Sequence, residues 1–197
     1  RFIKSVEDQS LKLADSVFGQ TVSGKWIDES QIIDYVEEDV VMIPDLSTLK
    51  KLPWNKEPTA QVICDLHSNS GSPSAIAPRQ VLIKIIDLLK ENDLKAIVAP
   101  ELEFYLCEKN LDPNIPLQTP VGKSGRRANG SDVFGIDSIN EFDVFLDDIY
   151  DYCETLDIGV DTLVHESGPS QIEINLNHGD PLRLADQTFM FKRAVRQ

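Results

Sequence analysis

The chain reads as an α+β protein: short β-branched runs dominate its first third, a helical apolar stripe follows, and two later segments alternate with period two. Val40 to Ile43 and Gln61 to Leu66 are strand candidates, and they suit a small β-rich unit over residues 1–77. The Ser-, Gly- and Pro-rich run from Ser68 to Pro78 has linker composition. Arg79 to Asn92 carries Val81, Leu82, Ile85, Ile86, Leu88 and Leu89 at helical spacing and opens a second unit, residues 78–197. A strand over 96–107 comes next. Residues 108–137, polar and rich in Gly, Pro and Asn, read as a long loop whose Lys123, Arg126 and Arg127 are either solvated or contacts for a phosphate or a neighbouring subunit. Ser138 and Glu141 form a capping box ahead of Phe142, Phe145, Leu146, Ile149, Cys153 and Leu156, one apolar helix face ending near Asp157. Gly159 to Asn177 reads as a hairpin turning at Ser167-Gly168-Pro169-Ser170, and Leu184 to Arg196 has the look of an unfinished helix.

Composition narrows the function. Of 197 residues 41% are apolar, enough for a real core, and the formal net charge is −14. Such a surface argues against nucleic-acid binding, because the phosphate backbone attracts basic proteins. No run is apolar enough for a bilayer span and no signal peptide is visible, so no membrane partner is expected. Cys64, Cys107 and Cys153 are odd in number and scattered, with Cys64 and Cys153 in apolar patterns; reduced core thiols in a cytoplasmic protein are expected. Neither a Walker-type loop nor a dinucleotide fingerprint occurs.

The chemistry gathers on glutamates. In a strand, Glu101 and Glu103 point to one face while Leu102, Phe104 and Leu106 point to the other. Two adjacent like charges need a bound cation, protonation of one partner or nearby Lys and Arg; the bland alternative is a solvated edge strand. Gln171-Ile172-Glu173-Ile174-Asn175-Leu176 repeats the device, with Ile172, Ile174 and Leu176 for the core and an amide, a carboxylate and an amide on the other side. Glu166 sits where the turn begins. Were this hairpin to lie beside the first strand, Glu101, Glu103, Glu166 and Glu173 would converge. So many hard oxygen donors suit Mg²⁺ or Mn²⁺ and not zinc.

Two of these segments, Pro100-Glu101-Leu102-Glu103-Phe104-Tyr105-Leu106 and His165 to Asn175, resemble the signature strands of the glutamine synthetase family. Asp39 to Asp45 with Ser47-Thr48, Leu52-Pro53-Trp54, Ala60 to Asp65 and Ala77-Pro78-Arg79 resemble that family's amino-terminal domain and its junction, in the same order. The flavour of Glu103-Phe104-Tyr105-Leu106 and Glu173 to His178 is similar to the γ-glutamylputrescine synthetase branch. The resemblance implies a β-grasp amino-terminal domain followed by the first part of a catalytic α/β domain, an antiparallel sheet with helices. It implies two or three divalent ions, Mg²⁺ or Mn²⁺: Glu103, Glu166 and Glu173 around the ion nearest glutamate, and Glu101, with Glu173 in reach, at the ion on the ATP phosphates. By the same resemblance Asp161 and His178 fall where the family contacts the nucleotide.

The activity implied is ATP-dependent joining of glutamate to an amine through γ-glutamyl phosphate, in homo-oligomeric rings whose amino-terminal domains close neighbouring sites. Two departures bear on the amine. Ammonia-using members carry an aspartate where Ala14 stands, next to Asp15, and a tyrosine where Phe134 stands. Loss of these polar groups weakens an ammonium pocket and favours a putrescine-like acceptor over ammonia. By the resemblance, the remaining site residues lie beyond Gln197, and the 197-residue chain alone is expected to show no synthetase activity. Two other readings stand beside this one: a family relative without catalysis, for which all four glutamates would be an odd survival, and an acidic, calcium-binding module, for which no EF-hand pattern is present.

Overall fold

The computed structural model describes residues 11–21, 23–27, 38–130 and 132–197, which fall into two compact units. The first consists of the described residues of 1–50 with 59–96, the second of 51–58 with 97–197.

In the first unit, β1 (Lys12–Ala14), β2 (Asp39–Lys51) and β3 (Ala60–His67) form one sheet in that order, β1 antiparallel to β2. Strands β2 and β3 outrun the apolar runs that signalled them, and Thr48, buried near the end of β2, ties them together. Its hydroxyl donates to the Asp45 carbonyl (2.7 Å) and accepts the Ile63 N–H (2.8 Å). The stretch with linker composition is folded back on itself: Gly71 N–H bonds the Ser68 carbonyl at φ +88°, which favours glycine, and Ser74 N–H returns to the Leu66 carbonyl. Helix α1 (Pro78–Glu91) follows, with proline in its first turn. From that turn Arg79 reaches Asp65 (2.8 Å) and Asp45 (2.6 Å), so one guanidinium joins the helix to both long strands. Of its apolar stripe, Val81, Ile85 and Leu88 stay about half exposed.

The second unit holds an antiparallel sheet ordered β4-β6-β5: β4 (Glu101–Tyr105), β5 (Val160–His165) and β6 (Gln171–Leu176). The strand expected over 96–107 is shorter. Pro100 lacks the N–H to continue the ladder, and before it only Val98 pairs, as an isolated bridge to Gly179. One face of the sheet carries Leu102, Phe104, Leu163, His165, Ile172 and Ile174. Ile172 and Ile174 are completely buried there, worth roughly 2–3 kcal/mol apiece. Phe104 meets Phe145 of helix α3 (Asp143–Leu156) and Phe191 of helix α4 (Pro181–Ala194), at ring centroid distances of 6.3 and 6.4 Å. Leu146, Ile149, Cys153 and Leu156 complete the buried side of α3; Leu184, Met190 and Ala194 that of α4.

The single helix expected after a Ser138 capping box is instead two. A short α2 (Ile136–Asn140) precedes α3, and Phe142 caps α3 without a side-chain bond. Both capping side chains are committed elsewhere: Ser138 donates to Asp132, and the Glu141 carboxylate accepts the Ser124 N–H at 3.0 Å. Helix α3 ends as expected at Asp157, in the left-handed conformation. No described helix is long and apolar enough to cross a membrane.

A carboxylate face on the second sheet

Hydrogen-bond phase fixes what the other face of the sheet displays. Leu106 N–H bonds the Ser170 carbonyl and Leu176 N–H bonds the Pro100 carbonyl, so the even-numbered residues of β4 exchange hydrogen bonds with β6. The odd-numbered residues therefore form the non-hydrogen-bonded pairs Glu101 with Asn175, Glu103 with Glu173, and Tyr105 with Gln171. Such pairs have Cα atoms about 4.5 Å apart, the closer of the two cross-strand spacings. On the other side of β6, Thr162 pairs with Asn175 and Val164 with Glu173. Glu166 N–H bonds the Gln171 carbonyl, extending the same register by one row. The face is thus a grid of three rows: Tyr105, Gln171 and Glu166; Glu103, Glu173 and Val164; Glu101, Asn175 and Thr162.

All four glutamates singled out in the sequence belong to this face. Their carboxylates are not gathered into a cage: among the described residues, no three His, Cys, Asp or Glu side chains are grouped as a set that could hold a metal ion. Among the described residues, only one of the four is held by another side chain. Gln171 Nε2 donates to Glu103 Oε2 at 2.6 Å, and Gln171 Oε1 accepts from Tyr105 Oη (3.0 Å) and the Gly168 N–H (2.9 Å). In the third row Asn175 Nδ2 donates to Thr162 Oγ1 at 3.0 Å, leaving Asn175 Oδ1 buried without a partner among the described residues. A buried acceptor of this kind calls for a donor such as water.

Asp161 sits at a β-bulge, where the β5–β6 register shifts between Val160 and Thr162, and is exposed. His178 lies past the end of β6, also exposed. Neither belongs to the three-row grid. Phe134 is 70% exposed at φ +60°, a conformation costly for a side chain of its size, and its N–H bonds the His165 carbonyl at 2.8 Å. Two of the three loop cations are engaged: Lys123 pairs with Asp143 (2.6 Å) and Arg127 with Glu108 (2.9 Å). With Arg126, Glu141 and His165 they border a cavity of about 490 Å³. Tyr105 shares this face without being singled out by the sequence reading, where its place two residues after Glu103 is the available signal.

A carboxylate-lined antiparallel sheet backed by two helices defines the class of architecture, and comparison with known proteins defines the family. The model of the glutamine synthetase catalytic domain matches residues 75–197. The chain is 32% identical, over 92% of its length, to the γ-glutamylputrescine synthetase of Escherichia coli, and 28% identical, over its whole length, to a glutamate–isopropylamine ligase of a Pseudomonas species. A glutamine synthetase of Methanocaldococcus jannaschii is 32% identical over 88% of the chain. This chain belongs to the glutamine synthetase family. It spans 42% or less of the length of these three relatives. In fold it is similar to a glutamine synthase homolog of known structure, with a TM-score of 0.77 at 15% identity over 98% of this chain and 43% of that one. A ligand-free GmaS structure gives 0.69 at 22% identity over 98% of this chain and 42% of that one.

Proposed function

We propose that the whole protein is an ATP-dependent ligase that joins glutamate to an amine through γ-glutamyl phosphate, with an organic amine of the putrescine type as acceptor. The observation that carries the reading is the face on which Glu101, Glu103, Glu166 and Glu173 share three adjacent rows, with Glu103 directly opposite Glu173. Two carboxylates at the close cross-strand spacing repel, and an oxygen-preferring divalent cation relieves this. The donor set fits Mg²⁺ or Mn²⁺, and the unpartnered Asn175 Oδ1 suits a water of hydration. Glu103, Glu166 and Glu173 would hold the ion nearest glutamate; Glu101, with Glu173, the ion on the nucleotide. Such ions, when bound, screen repulsion between anionic substrates and favour in-line phosphoryl transfer. The protein's own share is positioning: a rigid sheet with a packed core fixes where each carboxylate starts. Asp161 and His178 are proposed nucleotide contacts, one at the bulge and one beyond β6.

The ligase reading extends to the rest of the protein. In this reading residues 1–77 belong to a β-grasp domain and 78–197 to part of the catalytic domain, a division that differs from the two compact units in its placement of 51–58 and 78–96, in a cytoplasmic enzyme assembled as homo-oligomeric rings. Ala14 and Phe134, lacking the polar groups of an ammonium pocket, favour the organic amine over ammonia. Survival of all four glutamates favours an enzyme over a structural relative. The test is to supply the whole protein with ATP, glutamate, Mg²⁺ and either putrescine or ammonia, and to follow phosphate release and the amide by mass spectrometry. The putrescine amide is expected in excess; glutamine as main product makes it an ammonia-using synthetase, and neither amide overturns the ligase reading. The 197-residue chain alone is expected to give neither.

A further inference from the structure

We infer that Gln171 is a positioning residue that presets the Glu103 carboxylate for a divalent cation, and that Tyr105 holds Gln171 in place. This rests on the metal site proposed above. The orientation of the Gln171 amide is fixed from both ends. The Gly168 N–H can only donate, so the amide atom 2.9 Å from it must be the oxygen. The nitrogen then faces Glu103, whose ionised carboxylate can only accept, at 2.6 Å. The Tyr105 hydroxyl supplies a second donor to the amide oxygen at 3.0 Å. Turning the amide over would set oxygen against carboxylate and N–H against N–H, so one orientation is available. The bond occupies part of Glu103 Oε2 and fixes the carboxyl plane, leaving Oε1 open to a cation. Among the described residues, the carboxylates of Glu101, Glu166 and Glu173 have no hydrogen-bond or ion-pair partner, so Glu103 is the preset member of the set and the others close on the ion. Outer partners of this kind orient metal ligands and raise affinity.

The experiment is titration of the whole protein with Mn²⁺, read by the electron paramagnetic resonance of the free ion, for wild type, Glu103→Gln, Gln171→Leu and Tyr105→Phe. Melting temperatures without metal accompany each. Gln171→Leu is expected to weaken Mn²⁺ binding about tenfold or more, the range for loss of an outer partner. Tyr105→Phe, which removes one of two donors to the amide, is expected to weaken it about threefold. Neither is expected to shift the metal-free melting temperature in proportion, which separates positioning from a structural role. If Glu103→Gln weakens binding while Gln171→Leu and Tyr105→Phe bind as wild type, the positioning role is overturned and the metal site stands. If wild type binds no Mn²⁺, or Glu103→Gln binds as tightly as wild type, the metal site fails and the positioning role with it. Should Gln171→Leu fail to fold, Tyr105→Phe decides, since only a largely exposed residue's hydroxyl is lost.

Discussion

Glu103 and Glu173 stand directly opposite each other across the β4–β6 ladder, in a pair that exchanges no backbone hydrogen bond. Like charges at that spacing cost stability, by up to about 1 kcal/mol. Without metal, Glu173→Gln is therefore expected to raise stability, by ~0.5 kcal/mol in urea denaturation. Saturating Mg²⁺ should stabilise the wild type and leave Glu173→Gln nearly unchanged, since ligands stabilise only the state that binds them. A wild type whose denaturation midpoint ignores Mg²⁺ would count against a cation between these residues.

How far the sequence announced this arrangement depends on the kind of signal. Period-two alternation is set by the pleat itself, so the split of Glu101, Glu103 and Glu173 from Leu102, Phe104, Ile172 and Ile174 was legible from residue types alone. Pairing was not. That Glu103 meets Glu173, and in which hydrogen-bond phase, depends on the register of two strands far apart in sequence, which the tertiary core and the bonds between Leu106 and Ser170 set together. The bulge at Asp161 likewise leaves no mark in composition. The Ser138 capping box misled because a capping motif presumes side chains free to fold back on the helix, whereas Asp132 and Ser124 claim Ser138 and Glu141. The Ser68 to Pro78 run misled similarly, since serine and glycine serve a tight turn as well as a linker.

Arg79 bridges Asp45 and Asp65, with side chains 29% and 20% exposed, from the first turn of α1. Arg79→Met keeps the aliphatic stem but leaves two facing carboxylates without their cation, at an expected cost of ~2 kcal/mol. The Asp45 carboxyl titrates below its ordinary 3.8, chiefly through the Ser47 hydroxyl bond, with further lowering from Arg79. A depressed carboxyl stabilises the fold above its unfolded value, and that contribution is lost as pH falls from near 3.8 through the lower folded value. Ser47→Ala should shrink this acid-side loss while sparing stability at neutral pH more than Arg79→Met does. Urea midpoints between pH 2 and 7 check both.

The three thiols differ by burial: Cys107 is exposed, Cys64 partly covered, and Cys153 2% exposed on the inner face of α3. Desolvation pushes Cys153 up to about 11 from 9.0 and raises Cys64 less, with Asp65 adding to the latter. Maleimide at pH 8 should modify Cys107 first, Cys64 slowly, and Cys153 only on unfolding. In stability the sign is the reverse of Asp45's. The contribution of neutral Cys153 is complete below 9.0 and is lost as pH rises toward about 11, because only the unfolded thiol ionises in that interval. Cys153→Ala should flatten this alkaline decline, at a cavity cost of roughly 1–2 kcal/mol at neutral pH.

Gly168 tests the Gln171 arrangement without removing any of its hydrogen-bonding groups. A Cβ at this position would lie 2.5 Å from Tyr105 Oη, 2.6 Å from Gln171 Oε1 and 2.7 Å from Tyr105 Cε1. Each of those atoms is on a side chain that can turn aside, so Gly168→Ala should cost under about 1 kcal/mol of stability, below the usual overpacking penalty. What it displaces is the tyrosine and the amide that steer Glu103. Mn²⁺ affinity should therefore fall toward that of Gln171→Leu while the metal-free melting temperature barely moves. The Gly168→Ala, Tyr105→Phe double variant should lose less than the sum of the two single losses, because both act on the same amide oxygen. Full additivity, or Gly168→Ala binding Mn²⁺ as wild type does, would mean that the contact between Gln171 and Glu103 does not govern the ion.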